Sequence, residues 1–105
     1  TDASRRNEPE KEIITKADYR TRYSLYRLDK DLQRAHQQHP FIAVWDDHES
    51  TNDSYKDGAE NHQPNEGNWE ERKRISKEVY YEWMPIRGDA ATAILYRTVP
   101  YGNLM

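Results

Sequence analysis

The sequence predicts a mixed α/β segment in which helix dominates, with three helices and two short strands. Three observations carry that prediction. Tyr19, Tyr23 and Tyr26 recur at i, i+4, i+7, the spacing of one helix face. A five-residue apolar run at 41–45 (FIAVW) follows a proline and stops at an acidic cluster, as a strand buried on both faces does. Asn68 with Glu71 three residues later marks a further helix start, and Pro85 ends that helix after about Met84.

The elements follow in order. Residues 1–12 are polar and contain Pro9, which makes them a solvated lead-in. Thr15 is an N-cap with Asp18 at the third helical position. Leu25, Leu28 and Leu32 widen the tyrosine face, and Asp29 caps a second helix over 30–38, with a kink between the two. Pro40 biases His39 away from helix and releases the chain into the apolar run. Residues 50–67 are rich in Asn, Asp, Ser and Gly and read as a long loop, a feature that in compact domains is functional or disordered. In the third helix Trp69, Ile75, Tyr80 and Trp83 do not share one narrow stripe, so burial of more than one face is expected. Residues 93–99 (AILYRTV) read as the second strand, interrupted by Pro100 and turned by Gly102. There is no internal repeat and no low-complexity tract.

Composition bounds the rest. At 105 residues the chain is one domain or a part of one. Leu, Ile, Val and Phe together number 15, about 14% of the chain, under the roughly 20% below which disorder is flagged when net charge is also high. Net charge is only −3, and eight Tyr and three Trp supply the buried area that aliphatic residues do not. An ordered, aromatic-rich segment with little core of its own is expected, a piece of a larger protein that packs against something outside these residues. The near balance of acids and bases offers no basic field for nucleic acid and no polybasic patch for a membrane. No apolar run approaches a membrane span. No signal peptide is visible. The absence of Cys excludes disulfides and thiolate ligands within these residues.

The chemistry concentrates in Asp46-Asp47-His48-Glu49. Adjacent carboxylates raise each other's pKa unless a positive charge stands close, and desolvating one without a partner is expensive. A bound cation answers both, since carboxylate and amide oxygens suit hard metals and a carboxylate with an imidazole suits zinc or iron. Asp46 and Asp47, with Asn52 shortly after, are the candidate metal ligands. His48 is the candidate catalytic residue, able to ligate or to give a proton to a leaving group. Asp53 is a further possible oxygen donor. The competing reading is a solvated turn or helix cap, the ordinary fate of a charge run after a strand. Elsewhere the ordinary roles lead. The three tyrosines pack a helix, Trp69 and Trp83 fill core, and His36 and His39 sit well for a helix C-terminus. His62 is a solvated loop residue, with lining the site as its alternative, and Arg87 is a surface cation, with phosphate clamping as its alternative.

Residues 18–50 (DYRTRYSLYRLDKDLQRAHQQHPFIAVWDDHES), with 58–62 (GAENH) and 80–87 (YYEWMPIR), resemble the alkaline phosphatase D family of calcineurin-like metallophosphoesterases. The resemblance covers roughly residues 18–105. It implies an α/β sandwich with residues 41–45 in a central sheet, and metal-dependent hydrolysis of phosphate esters with calcium and iron as cofactors. It also implies export to the periplasm or beyond. Asp47 takes the place of the family's metal-ligand Asn and His48 that of the His contacting the phosphoryl group. Asp46 and Glu49 become neighbours of the site, and Asn52 matches an Asn common in the family. The upstream Asp motifs and downstream His motifs of the family are missing from these residues, so the chain alone is expected to be inactive. The rival expectation is a non-catalytic helical module whose aromatic faces bind a partner or a second copy.

Overall fold

The computed structural model describes residues 6–92 and 94–104. Residues 1–5 of the lead-in and Ala93 of the expected second strand lie outside the described residues. The element order is α1 (Lys16–Arg27), α2 (Lys30–Gln38), a 3-10 turn (Asp47–Glu49), β1 (Ser54–Tyr55), β2 (Gly58–Ala59), a second 3-10 turn (Pro64–Glu66) and α3 (Trp69–Trp83).

Each helix begins where its cap dictates. At α1 the Thr15 hydroxyl accepts from the Asp18 N–H at 3.3 Å, and the Thr15 N–H donates to the Asp18 carboxylate at 2.9 Å. Lys11 adds an ion pair to Asp18 at 2.9 Å. Burial pushes the Asp18 carboxyl up, but the Thr15 and Lys11 donors outweigh it and bring the pKa down to about 2. Asp29 caps α2 by accepting from the Leu32 N–H at 2.9 Å, and Asn68 caps α3 by accepting from the Glu71 N–H at 3.1 Å. Arg27 then ties the three helix ends together. One nitrogen donates to His36 Nε2 at 2.6 Å and the other to the Trp83 carbonyl at 2.8 Å.

The core lies between α1 and α3. Tyr19, Trp69, Val79 and Tyr80 are its buried apolar residues, and Asp18, Ser50, Arg72 and Ser76 are buried with them. On α3 the buried residues are Trp69, Arg72, Ser76, Val79 and Tyr80, which fall at helical spacing on one stripe. This corrects the expectation of several buried faces: two core-facing positions are polar, so an apolar count along the helix loses the stripe. Ion pairs join the helices alongside it, Lys16 to Glu78 at 2.9 Å and Arg20 to Glu82 through two nitrogens at 2.6 and 2.7 Å. Of the three expected packing tyrosines, Tyr19 is buried, Tyr23 half-buried and Tyr26 exposed.

The mixed, mostly helical class is observed, and the strands occupy other residues than expected. Residues 41–45 join no ladder, and neither do residues 94–99. The sheet is instead the hairpin β1–β2 within the expected loop, antiparallel, with Ser54 opposite Ala59 and Tyr55 opposite Gly58. The Tyr55 ring lies over Gly58, where a Cβ would come within 2.7 Å of its hydroxyl and push that exposed ring aside. The apolar run lacks a ladder because no strand is supplied to either side of it among the described residues. Ile42 and Val44 are 71% and 74% exposed. The accessible surface of 8163 Å² exceeds the roughly 6200 Å² expected for a folded chain of this mass. The radius of gyration is 15.3 Å against an expected value of about 13 Å.

Candidate functional site

The acidic cluster forms a single 3-10 turn rather than a strand end. Asp46 opens it, its N–H donating to Glu49 Oε2 at 2.7 Å. The Ser50 N–H closes it on the Asp47 carbonyl at 3.0 Å, and the Thr51 N–H reaches the same carbonyl at 3.3 Å. The sequence folds this way because Asp46 and Glu49 stand at capping-box spacing.

The turn brings Asp47, His48 and Asn52 together. Asp47 Oδ1 lies 3.2 Å from His48 Nδ1, and His48 Nε2 lies 2.8 Å from Asn52 Oδ1. Both imidazole nitrogens thus face oxygen acceptors, the arrangement of an imidazolium. The His48 pKa is raised accordingly, first by the Asn52 hydrogen bond and then by the Asp47 charge. Asp47 Oδ2 accepts from the Asp53 N–H at 2.8 Å, and the Asp47 carbonyl accepts from Ser54 Oγ at 2.9 Å. Desolvation works to raise the Asp47 carboxyl, but the Asp53 N–H and the His48 charge hold it below the usual carboxylate range. Asp53 takes a left-handed φ of 50°, which an Asp tolerates better than most residues. His48 is exposed, so the cluster opens to solvent.

Glu60 is a site neighbour that the sequence reading missed. It accepts from Asn52 Nδ2 at 3.0 Å, and its pKa is raised by a hydrogen bond with Asp53 and by the Asp53 charge. Its only sequence signal is its place in GAENH. His62 also departs from expectation. Its side chain is 9% exposed, because Arg72 Nη1 donates to His62 Nδ1 at 3.2 Å and the ring lies 5.2 Å from that of Trp69. A cavity of about 300 Å³ sits beside the turn, lined by Arg22, His48, Ser50, Thr51, Asn61 and Arg72 among others.

The donor set suits a hard cation in kind, being carboxylate and amide oxygens. In number it falls short: among the described residues no three His, Asp or Glu side chains converge on one point. No described helix is long and apolar enough to cross a membrane.

The family model described as PhoD-like phosphatase matches residues 1–105, and the chain belongs to that family. It is 39% identical over 97 residues to alkaline phosphatase D of Bacillus subtilis (strain 168). That match takes in 89% of this chain and 16% of the relative, so the chain spans about a sixth of the relative's length. No solved structure matches the chain significantly.

Proposed function

We propose that the chain is a segment of a metal-dependent phosphoesterase and supplies one edge of its active site. The observation that carries this reading is the full-length match to the PhoD-like phosphatase family together with the Asp47–His48–Asn52 constellation on a solvent-open turn. Asp46, Asp47 and Asn52 would hold a cation through their oxygens, with calcium and iron the metals the family resemblance implies. When bound, the cation polarises the phosphoryl oxygens and lowers the pKa of water.

The chain's own residues supply the rest. His48 keeps Nδ1–H on Asp47, and its solvent-facing Nε2–H, on exchanging Asn52 for substrate, would donate to a nonbridging phosphoryl oxygen or pass its proton to the leaving-group oxygen. Asp47 and Asn52 set the orientation of the ring. The substrate is a phosphomonoester or phosphodiester. Export to the periplasm or beyond belongs to the same family-based reading. Too few convergent ligands lie among the described residues for turnover, so the segment would act with the remainder of a catalytic domain. The uncovered apolar surface at Ile42 and Val44 supports that dependence.

The test uses an intact PhoD-like phosphatase carrying this segment, with p-nitrophenyl phosphate and its bis ester as substrates. His48→Asn and Asp47→Ala are expected to lower kcat by about 100-fold or more, and wild-type turnover in both would refute the assignment. The 105-residue chain supplied with Ca²⁺ or Fe³⁺ is expected to release no p-nitrophenol; sustained release would refute its dependence on other segments.

A further inference from the structure

We infer that Tyr19 and Arg72 are positioning residues that clamp the 47–50 turn and Asn52 from the α1–α3 core; this rests on the phosphoesterase reading above. Two arms leave the Arg72 guanidinium, whose side chain is 1% exposed. In the first, Arg72 Nε donates to the Tyr19 hydroxyl at 3.2 Å, and that hydroxyl donates to the Ser50 carbonyl at 2.5 Å. Ser50 is the residue whose N–H closes the turn on Asp47. In the second, Arg72 Nη1 donates to the Asn61 carbonyl at 3.0 Å, and the Asn61 N–H reaches the Asn52 carbonyl at 3.4 Å. Asn52 in turn contacts His48 Nε2.

Both arms therefore end on the residues that fix the imidazole: one on the turn that carries His48 and Asp47, the other on Asn52. A third contact, Ser50 Oγ to Ser76 Oγ at 2.8 Å, fastens the same residue to α3. The guanidinium is itself anchored from the other side by Glu12 and the Ile13 carbonyl, each at 2.9 Å. Arg72 has a planar fork with five N–H donors, and a lysine in its place could not reach along these directions at once. A tyrosine suits position 19 because its hydroxyl donates to Ser50 while accepting from Arg72, and its ring fills the core.

The test is site-resolved amide hydrogen exchange on an intact PhoD-like phosphatase that carries this segment with Tyr19→Phe, which keeps the ring and deletes the hydroxyl. Losing that hydrogen bond at a buried carbonyl is expected to speed exchange at Ser50, Thr51 and Asp53 about tenfold. The helix-end amides of His39 and Met84 keep their rates. Val79→Ala, a core truncation far from the turn in sequence, accelerates all of these amides together. Uniform acceleration by Tyr19→Phe, or none, would overturn the clamp. Should Tyr19→Phe fail to fold, Ser76→Ala removes the Oγ contact to Ser50, along with a local bond to the Lys73 carbonyl within α3, and is expected to speed the same three amides less; unchanged rates there also overturn it. In an intact phosphatase Tyr19→Phe lowers kcat about tenfold at constant KM, and an equal loss in Val79→Ala would assign the effect to stability and refute positioning. Exchange reads the turn whether or not phosphate esters are hydrolysed, so a failed clamp and a failed phosphoesterase reading give separate results.

Discussion

Replacing Asp18 by Asn tests the α1 cap and the sign of its pH dependence together. In the folded chain the Asp18 carboxyl has a pKa of about 2, against an ordinary value of 3.8, and the residue is 8% exposed. The folded value lies below the unfolded one, so ionised Asp18 stabilises the fold above pH 3.8, and that contribution is lost as pH falls through about 2. The gap corresponds to roughly 2 kcal/mol. Asn still accepts from the Thr15 N–H but forfeits the charge and the Lys11 ion pair, so the cost at pH 7 should be about 1–2 kcal/mol. Urea unfolding followed by circular dichroism at pH 7 and again near pH 2 measures both. At pH 7 the variant's midpoint should fall by roughly 0.5–1 M for a slope near 2 kcal/mol per M. Near pH 2 wild type and variant should approach each other. A penalty of the same size at both pH values would show that the Asp18 charge does not carry the effect.

Arg72→Met takes the donor from the Ile13 carbonyl and the Glu12 carboxylate, while the Asn61 carbonyl keeps Thr51 Oγ1 and Glu66 keeps the Gln63 N–H, so a loss of about 2–3 kcal/mol is expected, and an unchanged urea midpoint would show that the guanidinium is dispensable. Tyr80→Phe should be neutral or stabilising by up to about 1 kcal/mol, because the buried Tyr80 hydroxyl has no hydrogen-bond partner among the described residues; a clear drop in thermal midpoint would reveal a partner. Asn68→Ala should cost about 1 kcal/mol through the α3 cap, measured by the same denaturation.

Legibility divided along physical lines. Local signals were readable: Thr15 with Asp18, Asp29, and Asn68 each began a helix because a cap needs only its own neighbours. Strand pairing was not, since a ladder depends on what lies alongside. Residues 41–45 have the composition of a strand and no neighbour to pair with, whereas the hairpin at Ser54–Ala59 arises from a polar stretch whose Gly58 lets Tyr55 close over it. The candidate site was legible as a residue list. Its geometry was not: that Asp46 and Glu49 wind the cluster into a turn, leaving Asp47 and Asn52 to grip His48, follows from hydrogen bonds across that turn. Arg72 was the deepest omission, because a charged residue on an amphipathic helix is ordinarily counted to the wet side, and here it faces inward with six acceptors around it.

The bare segment at 41–45 has a practical corollary. Its Ile42 and Val44 side chains lie open, and its amides and carbonyls enter no backbone hydrogen bond among the described residues. Such a strip is a template for edge-to-edge association. Handled as an isolated polypeptide, this chain is expected to self-associate through that strip as concentration rises, which light scattering would detect, and Val44→Lys is expected to keep it dispersed.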